Sequence, residues 1–262
     1  FHFWRPWRRP MAAAPRARVA ALRRCNANVC GPPSRLVRRG DAAGLWRAAT
    51  SRRIFISTGD VMGDVHGAQL AQELNRVVSS EGRSGTEDPI ELYGVGGENM
   101  AREGVRIIGD SRRISSVGIT AALPHLFPAL WLSRAVKADL KSQPPSVAVF
   151  IDYPGFNIPL VKWVSRRSPQ VKVVYYVPPN EWMLSQFGSG VVARLAGRRV
   201  RKILQASDVV LAVYPQESDA YAAASQQATD TESADALPHA KVQYIGHPLL
   251  DTVGRRGRPR DT

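Results

Sequence analysis

Cysteine is almost absent from this chain of 262 residues. There are two, Cys25 and Cys30, and none beyond residue 30. That excludes a disulfide framework, a cysteine zinc site and a cysteine nucleophile from most of the protein. Methionine and histidine are scarce as well, four and five, which argues against a metal centre. Long apolar runs are missing. The longest, residues 119–132, holds His125 and two prolines and is too short and too broken to span a bilayer. No internal repeat is present.

Acid is the next deficit. Residues 1–53 carry one acidic side chain, Asp41, and no lysine, against 13 arginines. The net of +12 there accounts for most of the formal +14, and residues 54–262 carry 23 bases against 21 acids. The basicity belongs to a leader and not to the folded body. Nucleic-acid binding needs a basic face on the domain itself, so that reading is disfavoured. The leader is rich in Arg, Ala and Pro and lacks the uncharged apolar stretch of a secretory signal. From Met11 the run MAAAPRARVAALRR can form a basic amphipathic helix. This is the pattern of an organellar transit peptide, and the shortage of serine (Ser34 and Ser51) favours mitochondrion over chloroplast. A translated flank without function is the other reading of the segment.

The body alternates short apolar runs with helical periodicity. Strands are expected at residues 54–57, 90–95, 105–108, 146–151, 171–177, 209–213 and 242–245. Helices are expected at 64–78, 98–103, 129–142, 191–206 and 216–224. Such alternation implies an α/β fold with a doubly wound, Rossmann-like parallel sheet. Residues 225–240 are polar and read as a flexible surface insertion, and 254–262 as a basic tail.

Ligands of open α/β sheets gather at the carboxyl ends of strands, and three loops there carry chemistry. The first, TGDVMGDVHG from Thr58 to Gly67, has glycines (Gly59, Gly63) that let a ligand approach the backbone. It has neither the lysine of a phosphate-binding loop nor G-x-G-x-x-G spacing. Asp64 reads as the N-cap of the following helix, which leaves Asp60 as the more suggestive acid. His66 reads as a surface or packing histidine. The second loop, IDYPGFN, puts Asp152 directly after a buried strand, where a carboxylate can deprotonate a sugar hydroxyl. A turn-forming aspartate is the bland alternative. Asn157 is expected to cap the next helix. The third, YVPPNEW, presents Asn180, Glu181 and Trp182 on a proline-stiffened loop, where Trp and Tyr faces could cover a sugar ring or simply pack. The apolar tract 115–132, flanked by Arg112, Arg113 and Arg134, is either core or an interfacial patch for acyl chains. The helix at 191–204, with Arg194, Arg198, Arg199, Arg201 and Lys202, is either a solvated face or a surface for a phosphorylated or lipid partner.

At these loops the sequence resembles the lipid-A-disaccharide synthases, glycosyltransferase family 19. Four stretches match in order: STGDVMGDVHGAQL (57–70), LYGVGGENMAREGV (92–105), VFIDYPGFNIPL (149–160) and YIGHPLLD (244–251). The segment SDVVLAVYPQE (207–217) also fits. The resemblance implies the N-terminal, acceptor-side half of a two-domain GT-B glycosyltransferase over residues 54–253, with a donor-binding half that these residues do not include. It implies transfer of 2,3-diacylglucosamine from its UDP derivative to 2,3-diacylglucosamine 1-phosphate. No metal or organic cofactor is implied, and peripheral membrane contact is. The family's candidate base carries onto Asp152 and its Gly-Asp binding pair onto Gly63 and Asp64. Gly59, Asp60, Asn157, Asn180 and Trp182 complete the expected substrate-binding set. Two departures stand out. Asp60 and Met62 replace the family's usual Glu and Ser, and Trp182-Met183-Leu184-Ser185 keeps one tryptophan of a Trp-Ala-Trp-basic motif.

Two other classes are weighed. One is a non-catalytic acyl-sugar or membrane-binding module. The other is a nucleotide-binding oxidoreductase suggested by the Gly94–Gly97 turn, which the missing G-x-G-x-x-G after the first strand disfavours.

Overall fold

A computed structural model describes residues 53–81, 90–113, 126–229 and 240–250, all of them within one compact unit, Ala48–Thr262. The leader before Arg53, the first part of the apolar tract (114–125), most of the expected insertion (230–239) and the basic tail lie outside the described residues.

The elements run β1 (Arg53–Ser57), α1 (Val61–Glu81), β2 (Glu91–Gly96), α2 (Glu98–Arg102), β3 (Arg106–Asp110) and a 3-10 turn (Ser111–Arg113). They continue α3 (Leu126–Ser142), β4 (Val147–Ile151), α4 (Pro154–Arg167), β5 (Lys172–Tyr176), α5 (Glu181–Phe187) and α6 (Gly190–Ala206). The last are β6 (Val209–Ala212), α7 (Pro215–Thr229) and β7 (Lys241–Tyr244). All seven strands are parallel, in the order β3-β2-β1-β4-β5-β6-β7. This is the doubly wound α/β fold expected from the alternation.

The strands are apolar on both faces because both are covered. Phe55, Tyr93, Phe150 and Tyr175 are fully buried on the face packed by α3, α4, α6 and α7. Ile54, Ile56, Val149 and Ile151 point to the opposite face, under α1 and α2 with Ala71 and Met100. Arg53, read as the end of the leader, is the first residue of β1. It pairs with Glu91 and its guanidinium lies 4.2 Å over the Tyr93 ring.

Several boundaries differ from expectation; α3 begins at Leu126 rather than residue 129, and α5 (Glu181–Phe187) forms where a loop was expected. Helix α1 begins at Val61, three residues early, because Asp60 caps it. Helix α7 runs to Thr229, five residues into the stretch read as an insertion. Asn157 does not cap a helix. Tyr153 is the N-cap of α4, with Pro154 in the first turn, and Asn157 sits inside the helix. Proline at the first helical position loses no intrahelical bond, so α4 starts where the sequence suggests a turn.

Candidate active site

All carboxyl ends of a parallel sheet share one rim. Helix α1 leaves β1 towards β2, whereas α4 leaves the adjacent β4 towards β5, on the opposite face. The gap between β1 and β4 is therefore the topological switch point, the usual ligand crevice of such sheets. The two loops chosen from sequence, at Thr58–Asp60 and at Asp152–Tyr153, meet there. A Cβ on Gly59 would lie 2.0 Å from the Tyr153 ring, so only glycine lets that ring settle on the first loop.

Asn157 fastens the two tips together. Its side-chain nitrogen donates to the carbonyls of Ile151 and Asp152, each at 2.9 Å, and its oxygen accepts from Ser57 Oγ at 2.7 Å. The side chain is fully buried and engaged at both ends, which makes it a brace for the crevice.

Both acids of the first loop cap helices, and Asp64 caps a helix other than its own. Asp60 caps α1, its Oδ1 accepting the Gly63 N–H at 2.6 Å. Asp64, 4% exposed, reaches away from its own helix. Its carboxylate accepts the backbone N–H groups of Gly97, Asn99 and Met100 at 2.7, 3.0 and 3.2 Å, and the Asn99 amide at 2.9 Å. It thus caps α2 from another element and locks the β2–α2 turn to α1. A Cβ on Gly97 would press against this carboxylate.

Asp152 is held differently. Its own φ is 44°, that of Tyr153 45° and that of Val177, at the neighbouring tip, 49°. Left-handed backbone at three non-glycine residues, one of them β-branched, costs about 1–3 kcal/mol each and marks a site that the surroundings enforce. The enforcement is visible. Asp152 N–H donates to the Val177 carbonyl at 3.1 Å, and the Asp152 carbonyl accepts from Tyr175 Oη at 2.9 Å as well as from Asn157. Burial pushes the carboxyl up to about 6; a hydrogen bond from the Tyr153 backbone opposes this, and the nearby charges of Asp60 and Glu181 add to it. A carboxyl so poised is half-protonated near pH 6 and mostly ionised at neutrality, the condition that suits a general base.

The third loop divides. Asn180 is exposed at the start of α5 and makes no side-chain cap bond. Trp182 is 7% exposed and packs into the main core, so its face is not offered to a sugar. Its indole N–H lacks a well-aligned acceptor but lies near enough to Glu217 to favour that group's charged form. The half-buried Tyr153 ring is the aromatic surface at the crevice.

A family model described as lipid-A-disaccharide synthetase matches residues 54–260. The chain belongs to the lipid-A-disaccharide synthase family. It is 38% identical over 201 residues to the lipid-A-disaccharide synthase of Prochlorococcus marinus (strain MIT 9313), covering 77% of this chain and 44% of that relative. The enzymes of the same name from Gloeothece citriformis (strain PCC 7424) and Synechocystis sp. (strain ATCC 27184 / PCC 6803 / Kazusa) are each 30% identical. The matches cover 78% and 79% of this chain and 46% of each relative. The chain therefore spans less than half the length of these relatives. Lipid-A-disaccharide synthases are glycosyltransferases, and the catalytic reading of the crevice is a reading within that class.

In this synthase-family site, sequence reasoning passed over Glu217 and placed Glu181 only as one of the groups on the third loop. Glu181 is 6% exposed and pairs with Arg199 at 2.6 Å. Glu217, 1% exposed, accepts the Val213 N–H at 2.8 Å. Burial pushes it up to about 7, against the opposing bonds from Val213 and Tyr214 and the neighbouring Trp182. Its signal was local: Pro215 followed by an acid in the first turn after a strand marks a capped helix start. His66 is buried, as the packing alternative had it. Its ring meets that of His247 edge-on at 5.8 Å, and His247 in turn meets Tyr214 at 5.4 Å. Burial, then the nearby His247, hold His66 below its ordinary value, despite a bond to Gln69 and the charge of Asp60. Among the described residues no cluster of His, Cys, Asp and Glu is placed to hold a metal ion.

Proposed function

We propose that this chain forms the acceptor side of a lipid-A-disaccharide synthase. The crevice between β1 and β4 takes 2,3-diacylglucosamine 1-phosphate, and Asp152 acts as the base. Asp152 removes the proton of the sugar's 6-hydroxyl as that oxygen attacks the anomeric carbon of UDP-2,3-diacylglucosamine. The bond from that carbon to the diphosphate breaks, UDP leaves with the electron pair, and a β-1,6-linked disaccharide 1-phosphate results. UDP-sugar is a substrate here, and no metal or organic cofactor is called for. Gly59, Asp60, Gly63 and Asn180 border the acceptor, while Asp64, Asn157 and Trp182 support the crevice from behind.

The observation that carries this reading is Asp152 itself, a half-buried carboxyl on strained backbone at the switch point, tuned to about 6. Membrane contact belongs to the same reading. Phe127, Leu130 and Trp131, on the first turns of α3, are 76%, 54% and 72% exposed, an apolar cluster suited to acyl chains. The arginine-rich residues 1–53 serve as a mitochondrial address, which a fluorescent fusion of residues 11–53 tests.

Transfer needs donor and acceptor held together, and one side alone cannot supply that. The chain joined to the remaining C-terminal residues of the Prochlorococcus relative should transfer sugar. The chain by itself should bind the diacyl sugar phosphate without turnover. Failure to bind that acceptor in micelles, read by calorimetry, would overturn the proposal. Binding by the chain with no transfer from the fusion would leave the alternative, an acyl-sugar-binding module.

A further inference from the structure

The chain leaving β7 turns back across the rim of the sheet and is held there by rings. Gly246, at φ 81°, makes the turn with left-handed backbone and open space where a side chain would stand. Strand β7 lies four spacings from β1 in the sheet, roughly 19 Å at about 4.8 Å each. His247 nevertheless meets the ring of His66, on the second turn of α1, edge-on at 5.8 Å. On its other side it meets Tyr214, at the β6–α7 junction, at 5.4 Å.

Little else fixes this segment. Among the described residues, its last hydrogen bond to the body runs from Ile245 N–H to the Ala212 carbonyl, at 3.0 Å. Beyond that its bonds are internal: Leu250 N–H donates to the His247 carbonyl at 3.0 Å, and Leu249 N–H to His247 Nδ1 at 3.3 Å. Ile245, Leu249 and Leu250 are exposed, whereas His247 is half-buried.

The arrangement suits neutral imidazoles. His247 Nδ1 accepts a hydrogen bond, which an imidazolium cannot do because both of its nitrogens carry protons. His66 is 6% exposed and turns Nδ1 to Gln69. Burial, and then the facing His247, favour its uncharged form. Asp60, at the start of α1, opposes this, and Asp60 in turn interacts with Asp152 at the β4 tip. Glu98 and Arg102 of α2, the helix packed on α1, are exposed. Two imidazolium rings in this contact would repel.

We propose that His66 and His247 form a pH-operated clasp, which holds the chain leaving β7 against α1 at neutral pH and lets it swing away in mild acid. A released histidine takes up a proton more readily than one held in a buried contact. The balance therefore tips towards release as pH falls below the ordinary histidine value of about 6.5, and returns as pH rises. Residues 246–250 lead on from the sheet, so the clasp sets the direction in which the following chain leaves the body. What the crevice binds is immaterial to it.

Amide hydrogen exchange of the full chain, read by mass spectrometry and divided by the intrinsic chemical rate at each pH, tests the clasp. Protection across residues 246–250 should fall about tenfold or more between about pH 7.5 and 5.5, while β2 keeps its protection. His66→Phe leaves a ring in the contact that cannot charge, and it should shrink the fall. His66→Phe combined with His247→Phe should abolish it. Asp152→Asn should leave it in place, which separates the clasp from the carboxyl raised to about 6. Equal protection at both ends of the range overturns the proposal. So does a fall that persists in the double phenylalanine variant, or one that vanishes with Asp152→Asn. If exchange in β2 shows that the phenylalanine variants do not fold, nitrogen-15 NMR of the histidine rings in the unsubstituted chain decides, the pair being identified by its mutual proximity. An unprotonated His247 Nδ1 at about pH 7.5 that gains its proton as protection is lost supports the clasp. A ring already protonated there, or still neutral when the segment has been released, overturns it.

Discussion

Ser57 Oγ lies 2.7 Å from Asn157 Oδ1, a buried bond across the boundary where the sheet reverses its winding. The same Asn157 amide satisfies two carbonyls of the Asp152 turn, so one side chain sets the spacing of the two loops that frame the crevice. Asn157→Leu keeps the volume and removes every bond. It should lower stability by about 2–4 kcal/mol, because Ser57 Oγ and the Ile151 carbonyl lose this buried partner and the Asp152 carbonyl is left with Tyr175 Oη alone. Urea unfolding followed by circular dichroism measures this. A loss under about 1 kcal/mol would mean that water replaces the amide and the crevice is looser than described.

Asp152 gives a prediction of opposite sign for stability and activity. Its carboxyl is raised in the folded protein to about 6, above an ordinary aspartate. A raised acid favours folding when protonated, so its contribution is fullest at low pH and fades as pH climbs through the folded value. Asp152→Asn keeps an acceptor for the Tyr153 N–H and tolerates the left-handed backbone. At pH 7 it should stabilise the fold by about 1–3 kcal/mol. In the two-half fusion it should lower kcat by about 10²–10⁴ with little change in KM. The unsubstituted fusion should lose about tenfold in rate per pH unit below about 6. A pH-independent rate between about 5 and 8, or a variant at full speed, removes Asp152 from the role of base.

The division of capping between Asp60 and Asp64 is testable by ranking. Asp60→Ala removes an ordinary helix cap and should cost about 1 kcal/mol. Asp64→Ala strips acceptors from three backbone N–H groups of another element and should cost about 2–4 kcal/mol. Thermal unfolding of the two variants side by side decides it. The reverse order would return Asp64 to the simple capping place assigned from sequence.

Much of the architecture was legible because each strand is a contiguous apolar run with its own helix following. Asp152 was legible for a related reason: an acid placed directly after a fully buried strand has nowhere to be except the rim. What escaped depended on distance along the chain or on proline. Helix α4 hides behind Pro154, Gly155 and Pro159, which read locally as a turn. Asp64 finds its partners at Gly97, Asn99 and Met100, more than thirty residues away, whereas Asp60 needs only Gly63, so a local reading assigned the cap to the wrong acid. Trp182 looked like an exposed plate because its loop is polar. It is buried because α6 and α7 close over it, a packing event that no pattern within the loop announces.

The contact of Gly59 with the Tyr153 ring supplies the last prediction. A methyl at residue 59 would overlap Cγ and Cδ1 of Tyr153, close to the root of the side chain, where rotation of a flexible end gives no relief. Gly59→Ala should therefore displace Tyr153 and with it the neighbouring Asp152. Acceptor affinity should fall about tenfold or more, since misplacing a binding group at this scale costs on the order of 1–3 kcal/mol. Removing the obstacle is the control. In Gly59→Ala combined with Tyr153→Ala, the alanine at 59 should cost little beyond what Tyr153→Ala costs alone, a coupling of about 1–3 kcal/mol in a double-mutant cycle read by calorimetry. Simple additivity would show that the ring and the first loop act independently, and that Tyr153 does not set the width of the crevice.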